Sequence, residues 1–194
     1  MPEEVAPEAV ETAPVQPIIR NRHFMFLWMA QAISQIAQNA INFGLLVLVQ
    51  ERTNSTTHMA VAVLSFILPG VLFGILAGVY VDRAQKKTIL ITTNLLRAVV
   101  VLGYLVFDQS LGLIYAVTFV FSIISQFFAP AEAAAIPMLL PKQQLIAANS
   151  LFNLTFNGAQ LIGMVLVAPL VIKLFGTGVL FGSIAVLYLV AAFL

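Results

Sequence analysis

The sequence predicts an all-α membrane protein, a helical bundle of six spans. Three observations lead there. Hydrophobic residues fill 61% of the 194 positions and charged residues only 9%, against roughly a quarter charged in a water-soluble domain, and mean hydropathy is +1.01. Six apolar runs follow one another, each near the ~20 residues that cross ~30 Å of hydrocarbon. The breaks between them carry charged or turn-forming residues.

Residues 1–19, MPEEVAPEAVETAPVQPII, carry four glutamates, four prolines and no basic residue, the composition of a disordered tail. They lack the positive flank and short apolar core of a secretory signal, so we expect a retained cytoplasmic tail followed by one transmembrane domain, 20–194. The apolar runs fall at 24–50, 58–81, 88–107, 111–129, 145–172 and 175–194. Between them lie ERTNSTTH, DRAQKK, DQS, PAEAAAIPMLLPKQQ and a short KLFGTG connection. With the N-terminus inside, Arg20, Arg22, Arg83, Lys86, Lys87 and Lys142 are cytoplasmic and only Arg52 and Lys173 are external. That asymmetry fits the positive-inside rule. The last run stops at AAFL without the basic flank expected of a span returning to the cytoplasm, and reads as an incomplete chain, the alternative being a natural half-length protein.

Gly78, Asp82, Arg83, Lys86 and Lys87 close the second span and fill the loop to the third. The pattern resembles the G-x-x-x-D-R-x-G-[RK]-[RK] loop between helices 2 and 3 of the major facilitator superfamily. In that family the aspartate and arginine form a cytoplasmic gate latch, which must break and re-form as two halves rock. On its own the loop also reads as a basic, topology-setting connection. It departs from the family at Gln85, where glycine is usual and a stiffer turn is expected.

Residues 126–151, QFFAPAEAAAIPMLLPKQQLIAANSL, resemble the F-F-x-P-A-x-x-A-x-x-P-x-L-V-P stretch and following A-N-S-L of the drug and siderophore exporter branch. NRHFMFLWMAQAIS, residues 21–34, resembles the opening of the same branch, which includes macrolide efflux proteins. The resemblance implies two inverted three-helix repeats equivalent to the N-terminal half of a twelve-span transporter fold. It also implies alternating access around a midplane site, with an amphipathic small molecule as substrate moving outward.

Gln31, Gln35, Asn39 and Asn42 recur at spacings of four, four and three and share a face of the first span, with Ser34 and Gln38 at its edge. Such a stripe will not face lipid; it lines a water-filled path or glues helices together. The resemblance places helix 1 at the central cavity and favours the first reading. The fifth span repeats the pattern with Asn149, Asn153, Asn157 and Gln160. Gly70, Gly74 and Gly78 make two overlapping G-x-x-x-G steps, expected to bring a neighbouring backbone close.

Arg97 sits about 14 Å into the third span, too deep for easy snorkelling, and needs a partner or water. Asp82 and Glu132 are the available acids, and an ion pair is favoured over a substrate contact. Glu132 is a charge reversal, since the branch often has arginine there. Where the branch often carries a helix 1 carboxylate this chain has Ala37 and Gln38, and where antiporters carry a G-P-x-x-G-G pattern it reads Gly163 to Ala168, so the coupling ion stays open.

No cysteine is present, and no H-E-x-x-H, G-x-S-x-G or phosphate-loop pattern. His23 and His58 are expected on opposite sides of the membrane and cannot share a metal. We expect no cofactor, no metal and no enzyme activity. A net charge of +1 without a basic stripe speaks against nucleic acid. The expected partners are the bilayer, a small-molecule substrate and a coupling ion. The rival expectation is a half-length membrane protein without transport of its own, regulatory or inert, because a rocking site lies between two halves.

Overall fold

The computed structural model describes residues 18–107 and 109–194. The predicted tail therefore lies almost wholly outside the described residues, which begin with a 3-10 turn, Ile18–Arg20. Helices follow in the order α1 Arg22–Thr53, α2 Thr56–Arg83, α3 Lys86–Val106, α4 Leu111–Leu139, α5 Leu145–Gln160 and α6 Ala168–Phe193. A 3-10 turn, Lys142–Gln144, precedes α5, and a π-helical stretch, Leu161–Val167, joins α5 to α6. No strand occurs among the described residues.

Side chains fix the helix ends. Asn21 accepts from Phe24 N at 3.1 Å, capping α1, while its Nδ2 donates to Leu139 O at 2.9 Å and so ties the start of α1 to the end of α4. Asn54 ends α1 in the left-handed region, φ 46°, which asparagine tolerates better than most residues. Between α2 and α3 the turn is only Ala84 and Gln85, both in extended backbone (φ −101° and −71°). No positive φ is required, so Gln85 fits where the family has glycine.

Two sequence expectations need correction. PAEAAAIPML does not break the chain after residue 129, because α4 continues through Pro130 and Pro137 to Leu139. Alanines on either side hold the helix, and proline is tolerated in membrane helices whose freed carbonyls find other partners. The break comes at Leu140, whose extended backbone is what the following Pro141 imposes. Among the described residues there are also five helices long and apolar enough to cross a membrane, not six separate runs, because 142–193 forms one helical run with a single kink. Gly176 interrupts that run with φ 86°, ψ 171°, a conformation open essentially to glycine alone.

Contacts orient the run. Its first part packs at one end of the bundle, where Ala148 and Phe152 meet Phe24, Ile136 and Leu140. Its last residues, Ala191, Ala192 and Leu194, return to the same end and share a cavity with His23 and Asp82. We call this the gate end.

The main core lies among α1, α3, α4 and α6, with Tyr104 stacked on Phe181 at 4.7 Å and Ile41, Ile114 and Ile184 fully buried. In contrast, α2 is the least covered of the spans. It packs mainly on α4, where Ser122 donates to Phe66 O. Because little covers α2, its glycine stripe is not the close backbone joint its spacing suggested. A Cβ at Gly70 would meet first the Gln126 side-chain amide at 3.4 Å, and one at Gly78 nothing within 4 Å.

Candidate functional site

Two polar regions interrupt the apolar bundle. The first is a buried network around Arg97, which α3 places opposite one turn of α4. Its Nε donates to Ser125 Oγ at 3.1 Å and a terminal nitrogen to Ser125 O at 3.2 Å. The guanidinium lies over the Phe128 ring at 4.6 Å and the Tyr188 ring at 5.5 Å, so two aromatic faces supply negative potential where water is excluded. Gln38 Oε1 accepts from Ser125 Oγ and from Tyr188 OH, each at 3.4 Å, and Ser34 donates to Asn94 at 3.2 Å. Side chains from α1, α3, α4 and α6 thus meet in one cluster.

The acids suggested for Arg97 are placed differently. Glu132 is buried, yet no carboxylate is among Arg97's hydrogen-bond partners. Its Oε1 is buried without a hydrogen-bond partner, as are Gln31 Oε1, Gln38 Nε2 and Asn42 Oδ1. Asp82 is exposed at the end of α2.

The α1 amides divide. Gln31 is buried, while Gln35, Asn39 and Asn42 are half-buried. Asn39 donates to its own helix at Gln35 O, 2.8 Å, and makes no interhelical bond. The interhelical links come instead from Ser34 and Gln38, at the edge of the stripe. Asn149, Asn153, Asn157 and Gln160 are all exposed on α5, Asn157 donating to Asn153 O at 2.8 Å. Beside them α5 packs on α1, with Trp28 Nε1 donating to Thr155 Oγ1 at 2.8 Å.

The second region is the gate end. A cavity of about 630 Å³ opens among the ends of α1, α4 and α6 and the 82–87 loop. Asp82, Arg83, Lys86 and Lys87 line it, but Gly78 does not. Lys86 Nζ donates to Asp82 O at 2.8 Å and Ala84 O at 3.1 Å, satisfying carbonyls left free where α2 ends and placing a cation at the negative end of that helix.

Ser125 and Tyr188 were not singled out in the sequence, and Asn94 was not either. Asn94 was the most legible, one turn from Arg97 on the same helix face. Ser125 and Tyr188 belong to other helices, and nothing in their local sequence marks them.

The profile of the Major Facilitator Superfamily matches residues 27–194. The chain is 28% identical over 143 residues to YkuC of Bacillus subtilis, an uncharacterized MFS-type transporter, covering 72% of this chain and 33% of that one. It is 33% identical over 126 residues to macrolide efflux protein A of Streptococcus pyogenes, covering 63% and 31%. The chain thus spans about a third of the length of the curated relatives it matches. Among solved structures, the POT family transporter PepTSo superposes with a TM-score of 0.77 at 21% identity, covering 89% of this chain and 36% of that one, a likeness of fold. A profile match reaching from early α1 to the last residue, over an all-helical apolar bundle, makes this chain a member of the Major Facilitator Superfamily of membrane transporters.

Proposed function

We propose that residues 20–194 form the N-terminal six-span domain of a secondary transporter of the cell membrane, with residues 1–19 as its cytoplasmic tail. The domain works by alternating access and exports amphipathic small molecules. The transport reading is carried by the uncovered amide face of α5, where Asn149, Asn153, Asn157 and Gln160 are exposed on a helix flanked by apolar spans. Amides are expensive against lipid, so this face borders a water-filled path or a second half of the transporter. The half-buried Gln35, Asn39 and Asn42 of the adjoining α1 extend that path.

The return of 142–193 to the gate end supports a reading of six crossings. A straight helix of 52 residues would run about 78 Å, more than twice the ~30 Å hydrocarbon core. Turning at Gly176 gives two crossings from that run, and two inverted three-helix repeats overall. The 82–87 loop, with Gly78 behind it, is the cytoplasmic latch, and Asp82 and Arg83 exchange partners as the halves rock. Similarity to macrolide efflux protein A supports a lipophilic substrate class.

The test is a chimera in which residues 20–194 replace the matching N-terminal segment of macrolide efflux protein A, expressed in a macrolide-susceptible host. Macrolide efflux above that of the empty host is expected. A chimera present in the membrane at the parent's level but without efflux of a macrolide or a lipophilic cationic dye would count against the proposal.

A further inference from the structure

Two hydrogen bonds set the register of α1 against α4. Asn21 Nδ2 donates to Leu139 O at the gate end, and Ser125 Oγ donates to Gln38 Oε1 deeper in the bundle. The start of one helix thus meets the end of the other, and a step back along α1 matches a step forward along α4. Seven residues before Gln38 is Gln31, and seven residues after Ser125 is Glu132. Seven residues make almost two turns, so each keeps the face of the residue it is counted from, and the register sets Gln31 opposite Glu132.

Both residues are buried, at 3% and 7% exposure, and both hold a buried oxygen that accepts no hydrogen bond, Gln31 Oε1 and Glu132 Oε1. Two acceptors in one layer repel unless a hydrogen lies between them, and a buried carboxylate without a donor is costly. The charged and titratable groups around this layer do not supply that hydrogen. Arg97 donates to Ser125, and Tyr188 OH donates to Gln38 Oε1. At the gate end Arg22, His23, Tyr80, Asp82, Arg83, Lys87 and Lys142 are exposed, and Lys86 is engaged on backbone carbonyls. A protonated carboxyl is a donor as well as an acceptor, so a single proton satisfies both oxygens.

We propose that Glu132 binds a proton and donates it to Gln31 Oε1, an acid–amide bond that fastens α1 to α4 on the gate side of Arg97. Proton uptake forms one O–H bond on the carboxylate and one hydrogen bond to the amide oxygen, with water at the gate end as the source. Glu132 stands three residues past the 111–129 apolar run, towards that end. When the proton returns to water the bond to Gln31 is lost, and the carboxylate is left with Arg97, the other buried charged residue among those described. The joint between α1 and α4 therefore loosens as the proton leaves. The site stands independently of the transport reading.

Infrared difference spectroscopy on the purified chain tests this. An ordinary carboxyl is ionised at neutral pH, so a protonated-carboxyl stretch at that pH reports an exception. Such a band is expected, lost in Glu132→Gln and moved to higher frequency in Gln31→Leu, where the carboxyl has no amide to donate to. Gln31→Asn, with its shorter amide, is expected to move the band the same way and serves if the leucine variant does not fold. A group that holds its proton more tightly folded than unfolded gives stability that is lost as pH rises. The native chain is therefore expected to lose part of its unfolding midpoint above neutral pH, whereas Glu132→Gln, whose amide still presents a donor, keeps its own. Absence of the band at neutral pH would overturn the proposal, showing an ionised Glu132 and a Gln31 amide turned to donate to it. So would a band lost in Glu132→Gln but unmoved by either Gln31 variant, which would make a buried water the partner.

Discussion

Arg97 is held by a serine and two aromatic rings, and Glu132, the other buried charged residue among those described, is not one of its hydrogen-bond partners. Such an arrangement is sensitive to loss of the arginine, because removing one member of a buried polar cluster strands the groups it satisfied. Arg97→Ala removes two hydrogen bonds from a charged donor, worth about 1.5–3 kcal/mol each, and leaves Glu132 the one buried charged residue among those described. A clear drop in unfolding temperature in detergent is expected. Adding Glu132→Gln to Arg97→Ala should restore part of the loss, with a coupling of about 0.5–3 kcal/mol in a double-mutant cycle. Strictly additive effects would show that Glu132 does not sense Arg97. The need for a partner was legible from the depth of the arginine in an apolar run. The identity of that partner was not, since a serine 28 residues away becomes a neighbour only when α3 packs on α4.

Among the glycine positions, the joint between α1 and the π-helical stretch is the one where another helix's backbone comes close. A Cβ on Gly163 would collide with the Ile36 carbonyl oxygen and stand 2.9 Å from Asn39 Cβ and 3.1 Å from Ala40 N. These atoms belong to or adjoin the α1 backbone and cannot swing aside as a side-chain tip can. Gly163→Ala is therefore expected to destabilise the chain by about 1–3 kcal/mol through overpacking. Gly158→Ala, with nothing within 4 Å, should leave stability unchanged or slightly raised, because alanine is the better helix former. Thermal unfolding of the two purified variants compares them directly, and equal midpoints would show that α1 and the π stretch can separate at little cost. Sequence spacing pointed to Gly70, Gly74 and Gly78 as the close contact. Spacing marks where a backbone can be approached, and packing decides which glycine is. The π turn was likewise not legible, because no residue type separates it from the α-helix on either side.

For the whole molecule, the ends of the bundle carry a prediction about sidedness. Residue 85 and the start of α1 share the gate end, whereas Asn54 follows α1 at the other. With the gate end cytoplasmic, a membrane-impermeant maleimide added to intact cells should label Asn54→Cys and leave Gln85→Cys unlabelled until the cells are opened. The reverse pattern would invert the topology. Composition by itself determined the solvent: a chain with 61% hydrophobic and 9% charged residues cannot cover itself with water-compatible surface, and its apolar run lengths match a bilayer. Local spacing further marked the 82–87 segment, because its glycine, acid and basic residues lie within ten positions of one another, although only Ala84 and Gln85 of it lie outside the helices. Only the tertiary structure decided that α4 runs on through two prolines, that 142–193 turns at Gly176 while remaining helical around it, and that Ser125, Gln38 and Tyr188 surround Arg97. The difference is one of range. Hydropathy and loop motifs are sums over neighbours in the chain, while the partner of a buried charge is set by which helices pack together.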